Sequence, residues 1–367
     1  MATAAGVAAA ETPCHAELVA DAYTLEPLHQ HNALAQLPTA SMIKMLTGLV
    51  AVDAVERGEI GWDSPYTVSR EASLVGGSQV YLKQGETFTL GELVEATMIE
   101  SANDAAFAVA EAVAGSEEAF LARMRAKARE LGFEGFAIHS PNGLPSKAGS
   151  RGDDRMRALD LARLGQEVLS HPLLAEHART DLSWFRDGTF QLFSFNYLLR
   201  RYPPAMGIKT GYHRRADFNI TAAAERDGAR VIAVLMGCQR KAQLFGRAEE
   251  LLERGFERYR TVPVIARGEK LAANVRVGAG QRGAVSVVAA RAIHLVAPLG
   301  ATVLVDVTIY SDGATAPVLR GDPVGRIVVH QGGRLVGEVP ALAAEPVAEL
   351  PWWRRLWQRL ALAVPLR

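Results

Sequence analysis

Apolar residues recur at Met42, Met45, Leu46, Leu49 and Val50, and the pattern runs on through Val55. This three-four spacing predicts an amphipathic helix with one face on a core. Residues 90–114 and 119–131 predict further helices, as do 160–169 and 248–259, while the short apolar run 231–236 reads as a buried strand. The chain from about Glu17 to Tyr259 is therefore expected to be α/β or α+β with substantial helix. From Val262 the pattern becomes a series of short β-branched runs, 274–277, 285–288, 293–296 and 303–309, separated by Gly, Pro and Asp. Runs 327–330 and 335–339 flank Gln331-Gly332-Gly333-Arg334, a Gly-Gly hairpin signal. Short strands at this spacing predict a small all-β domain, a sandwich rather than a barrel.

The two ends of the chain differ from its body. Pro351 is a good first helical position. Beyond it Trp353, Leu356, Trp357, Leu360, Ala361 and Val364 fall on one face, and Arg354, Arg355, Gln358 and Arg359 on the other, with Leu362 the misfit. A Trp/Leu face opposite an Arg face is the pattern of an interfacial membrane anchor, and the alternative is a terminal helix packed on the body. No run of about 18 apolar residues predicts a membrane span. Met1 to Glu11 is alanine-rich without Lys or Arg, and it lacks the positive start and apolar core of a secretory signal. The expected organisation is thus a disordered start or signal remnant over 1–16, a large domain over 17–261, a β-sandwich over 262–346 and an amphipathic helix over 351–367.

Composition narrows the function classes. The 367 residues are 49% hydrophobic and 22% charged, with 40 Lys+Arg against 40 Asp+Glu. That excludes a disordered or fibrous chain. A net charge of zero argues against a nucleic-acid partner, since phosphate binding shows as a basic excess. Cys14 and Cys238 make neither a disulfide framework nor a zinc site, and Cys238, after a buried strand, reads as a small core residue. The nine histidines show no paired ligand spacing, so no metal and no cofactor is expected. His213 reads as an exposed loop histidine rather than a substrate contact.

Three short motifs carry candidate chemistry. Ser41-Met42-Ile43-Lys44 opens the first helix, Ser101-Ala102-Asn103 follows Glu100, and Lys209-Thr210-Gly211 follows Ile208. Singly each has a bland explanation, such as a capping serine or an exposed lysine. Together they suggest nucleophilic catalysis. Residues three apart on a helix share a face, so Lys44 can reach the Ser41 hydroxyl, which needs a base to become a nucleophile. A lysine serves as that base only when burial and a second cation lower its pKa, and Lys209 could be that cation. Ser101 could relay a proton to a leaving group, and Asn103 could orient Lys44 and donate to a substrate carbonyl. Ordered this way, the motifs form the signature of penicilloyl serine transferases.

The chain resembles the D-alanyl-D-alanine carboxypeptidases, low-molecular-mass penicillin-binding proteins of bacterial cell-wall metabolism, over nearly its whole length. The resemblance rests on Leu37-Pro38-Thr39-Ala40-Ser41-Met42-Ile43-Lys44, on Ser101-Ala102-Asn103-Asp104-Ala105-Ala106 and on Gly207-Ile208-Lys209-Thr210-Gly211. Pro141-Asn142-Gly143-Leu144, Thr315-Ala316-Pro317-Val318 and Gly321-Asp322-Pro323-Val324-Gly325 are also similar to family segments. It implies an α+β fold, an antiparallel sheet with helices followed by a small β-sandwich and a C-terminal anchor. It implies catalysis by Ser41, Lys44 and Ser101, with Ser41 attacking the bond between the two terminal D-alanines of a peptidoglycan stem pentapeptide and Lys44 as general base. Substrate would be bound by Asn103, Lys209, Thr210, Gly211 and Tyr212, with the backbone N–H groups of Ser41 and Tyr212 as oxyanion hole. β-Lactams would acylate Ser41. The implied location is the periplasmic face of the inner membrane, held there by the terminal helix.

The chain also departs from the family pattern. Phe195 precedes Asn196 where an Arg is common, Leu244 stands where another Arg would grip the substrate carboxylate, and Asp217-Phe218-Asn219 replaces a usual Gly-Tyr-Asn. Arg240, Arg247, Arg214 and Arg215 are the alternatives for that grip. Two other functions share the motifs: a serine β-lactamase, which needs a glutamate-activated water that has no evident place here, and a non-catalytic peptidoglycan-binding scaffold.

Overall fold

In the computed structural model, which describes residues 13–145, 152–351 and 353–354, the chain divides into two units, Met1–Arg258 and Tyr259–Arg367. The main elements of the first unit, in chain order, begin with β1 (Ala16–Asp21) and β2 (Pro27–His31). A run of helices follows: α1 (Lys44–Glu56), α2 (Leu90–Met98), α3 (Asn103–Ala114), α4 (Glu117–Glu130), α5 (Ala158–Ser170) and α6 (Pro172–Arg179). A hairpin of β3 (Leu182–Phe185) and β4 (Phe190–Phe193) leads to β5 (Ala205–His213), β6 (Asp217–Arg226), β7 (Ala229–Cys238) and α7 (Lys241–Arg258). Five of the strands form one antiparallel sheet in the order β2-β1-β7-β6-β5, so β5 is an edge.

Both faces of this sheet are covered, which explains why 231–236 is continuously apolar rather than alternating. Ile232, Val234 and Met236 point into the larger core with α1 and α5, while Val231, Ala233 and Leu235 meet Leu244, Ala248 and Leu252 of α7. The neighbouring β6 presents Ala222, Ala223 and Ala224, small side chains that let helices close in on both sides. Ala is a poor strand former, so this strand is set by burial and not by propensity.

Two helical expectations are revised. The predicted amphipathic helix is not one-sided: Lys44, Met45, Leu46, Thr47, Gly48, Leu49, Val50, Ala51, Val52 and Ala54 are all buried, because α2, α3, α4 and α5 surround α1. A helix apolar all round belongs at the centre of a domain. The predicted helical run 90–114 is broken into α2 and α3. A Thr89–Glu92 capping box starts α2, and between the helices Ser101 takes a left-handed φ of 60°.

In the second unit β8 (Tyr259–Ile265), β9 (Lys270–Gly278), β10 (Ala284–Ala289), β11 (Ile293–Pro298), β12 (Asp306–Tyr310), β13 (Ala314–Thr315), β14 (Pro323–Gln331) and β15 (Arg334–Ala343) make two sheets, β12-β14-β15-β10-β9-β13 and β8-β11. They share a core that includes Ile265, Val285, Val287, Ile293, Ile327 and Val339. Gln331 pairs with Arg334 across the hairpin that Gly332-Gly333 turns. Of the expected terminal helix, Pro351 is not helical, Trp353 and Arg354 are helical, and residues 352 and 355–367 lie outside the described residues. Among the described residues no helix is long and apolar enough to cross a membrane.

The expectation for Cys238 is corrected. It is buried, but it is not a free core thiol: Cys14 and Cys238 are joined by a disulfide. The register explains the pairing. Ala16 lies opposite Met236 in the β1–β7 ladder, so two residues further out Cys14 and Cys238 face each other. The link closes a chain separation of 224 residues. Removing a native disulfide typically costs about 2–5 kcal/mol. Cys14→Ser is therefore expected to lower the unfolding free energy by that order in urea titrations, dithiothreitol should do the same to the unaltered protein, and thiol titration of the unaltered denatured chain should find no free thiol.

Candidate active site

Ser41 sits in a single 3-10 turn, Ala40–Ile43, that runs directly into α1, where Lys44 is the first residue. The turn is entered through Ala40 at a φ of 46°, a left-handed conformation that costs a non-glycine residue about 1–3 kcal/mol and persists only when its surroundings enforce it. Two backbone segments do the enforcing. A Cβ on Gly143, itself at φ 82°, would fall 2.1 Å from the Ala40 carbonyl oxygen, and one on Gly211 would fall 2.6 Å from the Thr39 carbonyl oxygen. Only glycine allows the 141–144 loop and the edge strand β5 to close on the Ser41 turn from two sides.

Lys44 is wholly buried, and its Nζ has three partners: Ser41 Oγ at 2.8 Å, Asn103 Oδ1 at 2.7 Å and the Asn142 carbonyl oxygen at 2.6 Å. Two of these can only accept a hydrogen bond, whereas the Ser41 hydroxyl can also donate. A neutral amine fits this set: its two N–H groups go to Asn103 and Asn142, and its lone pair faces the Ser41 hydroxyl. The electrostatics favour that form. Burial, and next the neighbouring Lys209 ammonium, hold the Lys44 pKa well below the ordinary lysine range, with the Asp104 and Asp154 carboxylates opposing. Lys209, also buried, is pushed down to about 7 by desolvation, with Glu100 opposing. The Glu100 carboxyl is in turn raised by its own burial.

Each partner is held from behind. Asn103 donates through Nδ2 to Gly76 O at 2.8 Å, and its backbone N–H donates to Ser78 O at 2.7 Å. Asp104 accepts from the backbone of Val80, Leu82 and Ala105, which ties the 76–82 segment to the start of α3. Asp154 accepts from Ser140 N and Oγ, and Thr47 Oγ1 donates to Pro141 O at 2.6 Å, fixing the loop that presents the Asn142 carbonyl. Asn219 bridges Gly237 N and Pro38 O, joining β6, β7 and the segment that leads to Ser41.

The structure brings the sequence-nominated residues together. Ser41, Lys44 and Asn103 are directly hydrogen-bonded. Ser101, Thr210, Gly211 and Tyr212 line one cavity of about 300 Å³ with Ser41, and Lys209 lies behind it at 3% exposure. The Asn142 carbonyl, the Gly143 approach and Lys241, also in the lining, were not nominated. The Asn-Gly dipeptide was the available signal for the first two; Lys241 had none. Phe195 and Leu244 do line the cavity, as an apolar wall. The four arginines weighed as replacements do not line it: Arg247 is held by Glu17 at 2.8 Å and Glu250 at 2.7 Å, and Arg215 pairs with Asp153 at 2.7 Å. His213 ends β5 with its Nδ1 accepting from the Arg215 and Ala216 backbone, so it caps a turn outside the cavity lining.

Comparison with known proteins agrees with this geometry. Residues 3–240 match the family model of D-alanyl-D-alanine carboxypeptidase, and residues 259–349 match that of the penicillin-binding protein 5 C-terminal domain. D-alanyl-D-alanine carboxypeptidase DacF of Bacillus subtilis is 30% identical over 324 residues, 87% of this chain and 82% of its own. DacC of Escherichia coli is 28% identical over 348 residues, 90% of this chain and 83% of its own. Among solved structures, penicillin-binding protein 5 from Haemophilus influenzae superposes with a TM-score of 0.72 at 22% identity, covering 94% of this chain and 100% of that one. Penicillin-binding protein D2 from Listeria monocytogenes, in its ampicillin-bound form, gives 0.61 at 27% identity over 68% of this chain and 99% of that one. The chain belongs to the D-alanyl-D-alanine carboxypeptidase family.

The depressed Lys209 sets a pH dependence of stability. Between about pH 7 and about 10.4 the unfolded chain binds more protons at this position than the folded one, so its contribution to stability rises with pH, by up to about 1.4 kcal/mol per unit, and the lowered Lys44 acts in the same direction. Urea unfolding at pH 7 and pH 9 is expected to show a gain that is smaller in Lys209→Met by about 1–2 kcal/mol. Equal gains in the two proteins would mean that Lys209 is not depressed.

Proposed function

We propose that the chain is a serine-type D-alanyl-D-alanine carboxypeptidase acting on peptidoglycan stem peptides, with Ser41 as nucleophile and Lys44 as its base. The observation that carries this reading is the three-partner setting of the Lys44 amine, which leaves one lone pair for the Ser41 proton. Ser41 Oγ gives its proton to Lys44 and bonds to the carbonyl carbon of the penultimate D-alanine. The oxyanion so formed is held by the backbone N–H groups of Ser41 and Tyr212, a contribution of about 3 kcal/mol per donor in such sites. Lys44, now an ammonium, can donate to all three of its partners, but the buried Lys209 charge disfavours a second cation beside it. The proton therefore passes on, through Ser101, to the nitrogen of the departing D-alanine. The C–N bond breaks, D-alanine leaves, and water hydrolyses the ester with Lys44 again as base. Asn103 positions Lys44 and the substrate amide, while Lys209, Thr210 and Gly211 hold the substrate along the edge of β5. β-Lactams enter by the same attack and acylate Ser41.

On this reading the first unit, expected over 17–261, is the catalytic domain, and the second, expected as a β-sandwich over 262–346, begins at Tyr259. The Cys14–Cys238 disulfide supports an oxidising compartment, in keeping with cell-wall work outside the cytoplasm. The Trp and Arg faces of 351–367 support a peripheral hold on the inner membrane.

Release of D-alanine from diacetyl-Lys-D-Ala-D-Ala is the direct test. The unaltered protein should release it and be labelled covalently by a fluorescent penicillin, whereas Ser41→Ala should lose both, with turnover down at least about 10³-fold. Labelling that persists in the variant would remove Ser41 from the role. Deleting residues 351–367 should shift the protein from the membrane pellet to the soluble fraction with turnover retained; unchanged fractionation would place that segment on the protein body.

A further inference from the structure

The cavity beside Ser41 has a side that the chemistry above leaves unused. Phe195, Phe218, Leu244 and Phe245 make an apolar wall there, and Lys241 stands at the same wall. Lys241 is the first residue of α7, with Leu244 and Phe245 three and four positions on, so the three share one helix face. The Lys241 Nζ lies 3.1 Å from the Tyr197 hydroxyl and 4.2 Å from its ring centroid, and that ring packs edge-on against Phe245 at 5.3 Å. One tyrosine thus braces both the ammonium and the aromatic wall. Lys241 is the lysine of this lining, whereas Lys44 and Lys209 are buried.

An apolar wall of three aromatic rings and a leucine, with one cation beside it, is complementary to a group that carries one negative charge and a sizeable apolar side chain. A methyl group leaves most of that wall uncovered, and each further methylene buried there is worth about fourfold in binding. The cation is also of a particular kind. A guanidinium fork fixes a carboxylate in one place, while an ammonium on a flexible stem is a point charge that can follow it. Lys241 is exposed and so has room to move.

We infer that this wall receives the C-terminal residue of the substrate, with Lys241 holding its carboxylate, and that the protein removes apolar D-residues larger than alanine in preference to D-alanine itself. The inference rests on the carboxypeptidase reading and adds a substrate class to it: stem peptides ending in residues such as D-leucine or D-phenylalanine. The bond broken and the Ser41 ester formed are unchanged; only the departing amine differs.

The test is kcat/KM for diacetyl-Lys-D-Ala-D-Xaa with Xaa alanine, leucine and phenylalanine, each as the free acid and as the C-terminal amide. D-Leu or D-Phe should be released at least about tenfold more efficiently than D-Ala, and Leu244→Arg should reverse that order. Lys241→Met should lower the acid-to-amide ratio of kcat/KM about tenfold. Release of D-Ala as fast as or faster than D-Leu and D-Phe, or an unchanged acid-to-amide ratio in Lys241→Met, overturns the inference while leaving the carboxypeptidase intact. No release from any peptide, with no penicillin label on Ser41, overturns both.

Discussion

A lysine amine with no exposure to water is the constraint around which the first unit is arranged. Burying an ammonium without compensation is prohibitive, so a buried lysine either pairs with a carboxylate or gives up its proton. Here the atoms within hydrogen-bond reach of Lys44 Nζ are neutral oxygens, and the Lys209 charge repels an ammonium there. The carboxylates that oppose, Asp104 and Asp154, are each committed to backbone N–H groups and make no direct bond to it. Their arrangement moderates the depression without restoring the charge. The side chain that is ordinarily a cation is thereby biased toward its neutral form, whose lone pair has one direction left to face.

That direction is reliable only if three separate stretches of backbone stay in register. The 3-10 turn supplies Ser41, the start of α3 supplies Asn103 and the 141–144 loop supplies a carbonyl. Left-handed residues at Ala40 and Ser101 mark where the chain is bent to achieve this. Such bends are unfavourable taken alone. They are held by the approaches at Gly143 and Gly211, by the two aspartates acting as backbone anchors, and by Asn219 tying the central strands to Pro38. The disulfide fastens the outer end of the β1–β7 ladder, whose Gly237 is the residue that Asn219 holds. Precision at Ser41 is therefore a property of the sheet and the helices together, not of the turn alone.

Much of this was legible in the sequence, for reasons that can be traced. Lys44 could be placed on Ser41 because a helix puts residues three apart on one face, and the β-rich unit could be separated because its period and its Gly-Gly hairpin differ from what precedes. What stayed hidden was tertiary. Helix α1 is ringed by other helices, which a one-sided apolar stripe does not announce. Strand β6 is built on alanines whose value lies in how closely helices can approach them. The cysteine pair is evident only once β1 is known to lie against β7, a pairing over two hundred residues apart in sequence. The Asn142 carbonyl is a backbone group, so no side chain could nominate it. Lys241 is hidden for a different reason: an ammonium one helical turn before Leu244 is not the guanidinium that the family pattern places at that position.

Burial distinguishes Lys44 and Lys209 from Lys241. The first two are dry, and burial weakens their hold on a proton. Lys241 is at the surface, propped on a tyrosine, where a charge costs little and can meet another. A carboxylate drawn to the dry pair would hold their protons in place and shut the base down. A recognition charge outside, on the helix that also carries the apolar wall, would separate grip from proton transfer. On that proposal the wall and the outer lysine could vary together, and change which terminal residue is accepted, without disturbing the buried Lys44 and its hydrogen bond to Ser41.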